Sequence, residues 1–341
     1  MADVTLRVGS TDYAGWESIS VQRSIEQCAA QFDATVSEPT ESGGTVETWP
    51  IAPGAKVVVL VDGEPVLTGY VDKVAPHFSA TDHGVNVTGR SATADMVDSS
   101  AIVPGGQFKG LTIVDIARRL AEPFGITVDV SDVPDEALDP IADVQIQQGE
   151  TCYAVIERLC RMQGVLACDA TGGIFRLARI GAGRADVTLQ QGGNLLSADA
   201  DLDLSQRFSD YIVKGQRANT DDRSDRPGTA DLLPTEPPPA GRDDTGDGGG
   251  DGGDGSDGPA DDTSDGGPAG ESVRATSGSA KDTGITRYRP HLLTAECQSD
   301  NVSCQQRAEW EARRRIGKSL RATVVVAGWR QHGDAGPLWD V

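Results

Sequence analysis

Between residues 219 and 283 the sequence almost stops using apolar side chains. Its centre reads DDTGDGGGDGGDGSDGPADDTSDGG, residues 243 to 267. A chain this poor in apolar groups cannot offset the entropy of ordering by burial. The fold must therefore be built from what lies on either side. The stretch carries 16 acids against 5 bases, which is half of the net charge of −22. It reads as a disordered acidic Gly/Asp-rich insertion. It does not read as a calcium site. An EF-hand loop needs a Glu at its twelfth position, and a repeat-type calcium turn needs a large apolar residue in every nonapeptide. Strands are predicted on both sides of the insertion, so it interrupts one domain. Such an interruption costs little, because loop-closure entropy grows slowly with length.

The first 90 residues alternate as strands do. VTLRV (4–8), ESISVQR (17–23) and QFDATVS (31–37) show the period of two, and KVVVLVD (56–62) is a buried β-branched run. Asp62-Gly63 turns that run into PVLTGYVDKV, and HFSATDHGVNVTGR predicts a second hairpin turning at Asp82-His83-Gly84. Short, regularly punctuated strands of this kind predict an antiparallel barrel or sandwich.

The next hundred residues change character. LTIVDIARRLAEPFG predicts a helix capped by Thr112, with Asp115 at the third position and Pro123 as its stop. A second helix is expected from Thr151 to Gly164, followed by the hairpin GVLACDATGGIFRLAR. After the insertion, TRYRPHLLTAE (286–296) is extended, SCQQRAEWEARRRIG predicts a helix with Ser303 and Gln306 as its capping box and Gly317 just beyond, and LRATVVVAGWRQ is a strand. RFSDYIVKGQ (207–216) supplies a strand before the insertion. The domains expected are 1–98, a first β-barrel; 99–190, a small α+β unit; 191–218 with 284–341, a second barrel; and 219–283, the insertion.

No constellation of reactive groups emerges. His77, His83, His291 and His332 do not cluster, each in a strand or turn context, and no G-x-S-x-G elbow is present. PGGQFKGLT (104–112) lacks the ending of a phosphate loop and is expected to be a plain loop before the helix cap. Cys28, Cys152, Cys160, Cys168, Cys297 and Cys304 form no C-x-x-C pair and have no His at zinc spacing, so buried reduced thiols are expected. The expectation is no catalytic residue, no cofactor and no metal. Arg313, Arg314 and Arg315 suit a helix C-terminus, where the dipole favours cations, and exposure to solvent. The negative charge argues against sequence-specific nucleic-acid binding. No apolar run reaches the ~20 residues of a membrane span, and MADVTLRVGS lacks the pattern of a secretory signal. No membrane insertion is expected, and folding is expected in a cytoplasm.

Six blocks in order carry a family resemblance: WPIAPGAKVVVLVDGEPVLTGYVDKV, VTGRSATADMVDSSA, LTIVDIARRLAEPFGI, RFSDYIVKGQ, RYRPHLLTAE and RAEWEARRRIGKSLRATVVVAGWRQ. Together they resemble the Mu-like phage tail protein P family, the baseplate hub of contractile-tailed phages. The resemblance implies a mainly β, non-enzymatic structural subunit with two related antiparallel β-barrels and a helix-containing insert. It implies a homotrimer that adapts a sixfold tail tube to a threefold spike and lines the channel for DNA. The implied partners are further copies, the tail spike protein, the tail tube or distal tube-adapter protein, and other baseplate proteins. The implied place is the virion tail baseplate, assembled in the host bacterial cytoplasm. ETCYAVIERLCRMQGVLAC also looks like a helix-and-strand element of spike proteins in related injection machines. Gly69 and Tyr70 would close-pack a barrel strand, and Arg90 and Asp95 would make a structural hydrogen bond. Family members usually continue past GPLWDV, so the second barrel is expected to be shortened or completed by another chain. The insertion is expected to project outside that barrel. The alternatives are a hub of a phage-derived bacteriocin or contractile injection system, and a tail-associated cell-wall hydrolase.

Overall fold

The computed structural model describes residues 3–37, 51–78, 83–133, 135–179, 188–218, 273–330 and 337–338. The body of the insertion, 219–272, lies outside them, as do the turn at 79–82 and His332.

The first module is one antiparallel sheet. Its strands are β1 (Val4–Val8), β2 (Thr11–Tyr13), β3 (Ser18–Gln22), β4 (Gln31–Ser37), β5 (Lys56–Val61), β6 (Glu64–Phe78) and β7 (His83–Ser91). They pair in the order β2-β1-β5-β6-β7-β4-β3. No pairing joins β2 to β3 among the described residues, so the ladder ends there. The β5–β6 turn needs two residues at positive φ, and Asp62 (49°) with Gly63 (85°) supplies them. Alternate residues Leu6, Phe32, Val57, Val59, Leu67 and Val87 build the core of one face. Gly69 sits where β6 crosses β7. A Cβ there would stand 2.5 Å from Ser91 Cα and collide with the Arg90 carbonyl oxygen, so only glycine admits this approach.

The second module is α+β. It contains α1 (Ala94–Asp98), β8 (Gln107–Leu111), α2 (Ile113–Ala121), β9 (Val128–Asp132), β10 (Ile141–Gln145), α3 (Cys152–Gln163), β11 (Leu166–Ala170) and β12 (Ile174–Ala178). β8 pairs with β10, and β12 is flanked by antiparallel β11 and parallel β9. Strand β8 occupies the stretch expected to be a loop before the helix. Its partner β10 lies 30 residues away in sequence, beyond the reach of a local reading. Thr112 caps α2 as expected: its hydroxyl accepts from Asp115 N (3.1 Å), and Asp115 accepts from Thr112 N (3.3 Å). Thr151 caps α3, and Gly164 ends it at a left-handed φ of 65°. Ile113, Ile116, Leu120, Val155, Ile156, Leu159 and Phe175 form the core. Met96 and Cys28 pack into this core as well. Residues expected in the first domain thus complete the second, because α1 folds back against α3.

The third module contains β13 (Leu195–Leu202), β14 (Asp210–Ala218), β15 (Val273–Lys281), β16 (Pro290–Thr294), α4 (Asn301–Lys318) and β17 (Leu320–Val326). Strand β15 begins within the range expected to be disordered: the acidic composition ends near residue 272, and 273–281 is an ordinary strand. The order is β15-β14-β16, and β14 runs parallel to β16. The wholly antiparallel second barrel is therefore not what these strands form. The chain crosses β14 between β15 and β16, which lets β16 run the same way as β14. β13 and β17 make a separate antiparallel ribbon. Helix α4 packs Cys304 and Ala308 onto Val213. It starts earlier than expected: Asp300 caps it, accepting from Ser303 N (2.8 Å), while Ser303 Oγ accepts from Asp300 N (3.0 Å). Ser303 is thus the third position of a capping box and not its first. Gly317 lies inside the helix, which closes at Ser319.

Candidate interaction surfaces

The residues singled out by sequence come together as supports. Arg90 donates to Asp72 (2.7 Å) and Asp98 (2.8 Å), bracing β6, β7 and α1. Asp95 takes no part; it stands in the first turn of α1, where the dipole favours an acid. Beside this brace, Thr93 Oγ1 donates to Asp169 Oδ1 (2.8 Å), and Arg23 bonds the Val66 and Asp169 carbonyls. Burial raises the Asp169 carboxyl above its ordinary range, against the donors from Thr93 and Ser91. These groups join the first module to the second.

A buried charge network joins the second module to the third. Arg307 is 4% exposed and Glu311 is 3% exposed, both on α4. Arg307 donates to Glu311 (2.9 Å) and to Glu296 (3.0 Å), and Arg161 of α3 reaches Glu296 at 3.2 Å. Burial would raise the Glu311 carboxyl, but the donors of Arg307 and Arg315 overcome it and hold the group below its ordinary value. Arg315 therefore points inward, not into solvent. It also bonds the Gln206 carbonyl (3.0 Å) and lies 3.2 Å from His291 Nε2. His291 stacks on Phe208 with ring centres 4.5 Å apart. Burial first, and Arg315 second, lower its pKa, which disfavours the charged ring. Arg313 stays exposed on Glu309, and Arg314 lies over Trp310.

A third link closes the chain on itself. Trp329 Nε1 donates to Asp62 Oδ2 (2.9 Å), and Arg330 pairs with Glu64. The segment after β17 therefore clasps the tip of the β5–β6 hairpin.

All six cysteines are free thiols; Cys28, Cys152, Cys160 and Cys304 are buried, and Cys168 and Cys297 are half-buried. Among the described residues no three His, Cys, Asp or Glu side chains are placed to hold a metal ion. No helix among them is long and apolar enough to cross a membrane.

One surface stands apart. In the β13–β17 ribbon, Leu202 faces Leu320, Ala200 faces Ala322, and Ala198 faces Val324. All six are exposed, Leu202 at 75% and Leu320 at 59%. On the opposite face Ser197, Asp199, Asp201, Arg321 and Thr323 are polar, while Val325, which faces Ser197, is exposed there at 47%. One side of the ribbon is therefore the more apolar, and both strands are exposed along nearly their whole length. The signal lies in the sequence as the alternation in LLSADADL, residues 195–202.

Three family models match in chain order. Residues 3–91 match the model described as Mu phage baseplate assembly protein GpP-like, N-terminal. Residues 93–179 match baseplate hub protein gp44-like, second domain, and 300–341 match Mu phage baseplate assembly protein GpP, fourth domain. The chain is 33% identical to the baseplate hub protein gp44 of Escherichia phage Mu, over 98% of its own length and 76% of the relative's. Among solved structures it is similar to the 43 kDa tail protein of prophage MuSo2 from Shewanella oneidensis, with a TM-score of 0.73, 30% identity, and coverage of 99% of this chain and 86% of the other. A tail protein from Neisseria meningitidis MC58 shares the fold at a TM-score of 0.69 and 18% identity, covering 97% and 82%. With these matches along its length, the chain belongs to the baseplate hub family of Mu-like phages.

Proposed function

We propose that the chain is a non-enzymatic subunit of a homotrimeric hub ring in the virion tail baseplate. The observation that carries this reading is the relation to the phage Mu hub over 98% of the chain. Three subunits, each presenting its first sheet and its C-terminal strands, form a pseudo-sixfold collar. The collar accepts the sixfold tail tube on one side and the threefold spike on the other, and leaves a central channel for DNA. The open ladder of the first sheet closes in this assembled state. Assembly takes place in the host cytoplasm with spike, tube and other baseplate proteins. The geometry supports such a part: the Arg90 brace, the Arg307 network and the Trp329 clasp tie the three modules into one frame able to transmit load.

Light scattering of the purified chain across a range of concentrations tests the reading. A mass three times the subunit's 35.7 kDa is expected. A monomer at every concentration overturns the trimer, and peptidoglycan cleavage by the pure protein overturns the structural role.

A further inference from the structure

We propose that His291 is the trigger of an acid-sensitive latch that holds the segment 203–209 against α4. The inference is independent of the hub reading. That segment links β13 to β14, and so joins the two-stranded ribbon to the three-stranded sheet. Its middle is gripped from α4. Arg315 donates to the Gln206 carbonyl (3.0 Å), and its guanidinium carbon lies 5.0 Å from the centre of the Phe208 ring. His291 of β16 stacks on the same ring at 4.5 Å, with the two planes 17° apart.

The hydrogen bonding sets the charge of the imidazole. A guanidinium donates and never accepts. In the 3.2 Å contact between Arg315 Nη2 and His291 Nε2, the ring nitrogen is therefore the acceptor, and the proton of the neutral ring sits on Nδ1. Acid adds its proton at Nε2, the atom that faces Arg315. That removes the acceptor and sets two cations in contact. The surroundings give the new charge little relief. Helix α4 presents Arg315, Arg307 and Glu311, and Glu311 is already bonded to both arginines, at 2.5 and 2.9 Å. Arg289, just before β16, lies over Phe208 at 5.0 Å. On the β14 side, Tyr211 meets the imidazole edge-on at 6.3 Å, Arg207 is paired with Asp282 (2.7 Å), and Asp210 accepts from Ser209 (2.7 Å). A protonated His291 is thus the third cation around one phenyl ring, and each carboxylate in this group already has a donor. Burial and Arg315 lower the imidazole pKa from 6.5, in keeping with that arrangement.

The response that disturbs least of the fold is separation of His291 and Phe208 from Arg315, which keeps Glu311 while the hold on Gln206 is lost. The other ties of the segment, Arg207 to Asp282 and Ser209 to the Arg289 amide (2.9 Å), do not involve His291, so the opening stays local. The sign follows from linkage. A released imidazole titrates near 6.5 and the latched one below it, so opening is favoured as the pH falls below 6.5. The gain is at most about tenfold at pH 5.5 relative to pH 7.5.

The test uses the full chain. Hydrogen exchange is followed by mass spectrometry at pH 5.5 and 7.5, with rates corrected for the intrinsic effect of pH. Amides of 203–209 and 289–293 are expected to open up to about tenfold more at the lower pH, and those of β5 to β7 to stay unchanged. His291→Gln keeps an acceptor for Arg315 and does not titrate, so the difference is expected to vanish in it. An NMR titration of the unmodified protein gives an independent reading, with the His291 midpoint expected below 6.5. Its signal is assigned by its loss in His291→Gln or, should that variant not fold, by elimination with the other three histidines replaced singly. A midpoint at or above 6.5, equal corrected exchange at the two pH values, or a difference that persists in His291→Gln overturns the latch.

Discussion

Replacing Arg307 with methionine tests the buried charge network. The side chain is 4% exposed, and its guanidinium serves two carboxylates, Glu296 and Glu311. Methionine keeps much of the packing volume and removes the charge. Glu311, at 3% exposure, is then left with Arg315, and Glu296 with Arg161. Removing one partner of a buried pair costs about 3–5 kcal/mol, because the other charge stays buried. The surviving arginines place this variant at the low end, about 3 kcal/mol. Urea unfolding at pH 7, followed by circular dichroism, measures the difference. The pH dependence supplies the sign. The folded Glu311 carboxyl lies below its ordinary value of 4.5. Its contribution is therefore present above pH 4.5 and lost as the pH falls through the folded value. The gap between parent and variant should narrow below about pH 4.5, where the parent also loses the pair. Adding Glu311→Leu to Arg307→Met should recover part of the loss, since one uncompensated charge is removed. A destabilisation under about 1 kcal/mol, or a gap that stays constant down to pH 4, would refute the reasoning.

Gly69→Ala should destabilise the first sheet by about 3 kcal/mol or more, because its Cβ meets the backbone at Arg90 and Ser91 and not a side chain that can turn away; urea unfolding would show it. Thr112→Ala should cost about 1 kcal/mol by removing one side of the α2 capping box, and Thr112→Ser should restore it. Burial raises the Cys28 and Cys160 thiols, and Cys297 is pushed up to about 11. Alkylation of these three at pH 8 should consequently be slow in the folded protein and fast in urea, as mass spectrometry can follow.

What the sequence disclosed depended on how local the cause was. The Asp62-Gly63 turn, the Thr112 cap and the Gly164 terminus are set by residues within a few positions, and each appears in the structure as the sequence predicts. Strand β8 escapes a local reading because its partner is remote, and the Asp300 cap is hidden because Ser303 offers an equally good local pattern. The parallel β14–β16 pairing depends on a crossover that no period-two alternation reveals. The supports were least legible of all. Arg315 looks like a solvent-facing helix end until β16 and the loop before β14 are placed beside it. Asp72 and Asp98 are common surface residues in sequence, and only the fold selects them over Asp95 as partners of Arg90.

The Trp329–Asp62 bond closes a stretch of 267 residues. On a ribosome adding 5–20 residues per second, roughly 15–50 s separate the synthesis of its two ends. The first sheet emerges whole and can fold while its hairpin tip is still vacant. The tip is filled only once Trp329 has been made. The clasp therefore forms later than the sheet it caps: until Trp329 and Arg330 are made, the hairpin tip at Asp62 and Glu64 has no C-terminal segment to hold.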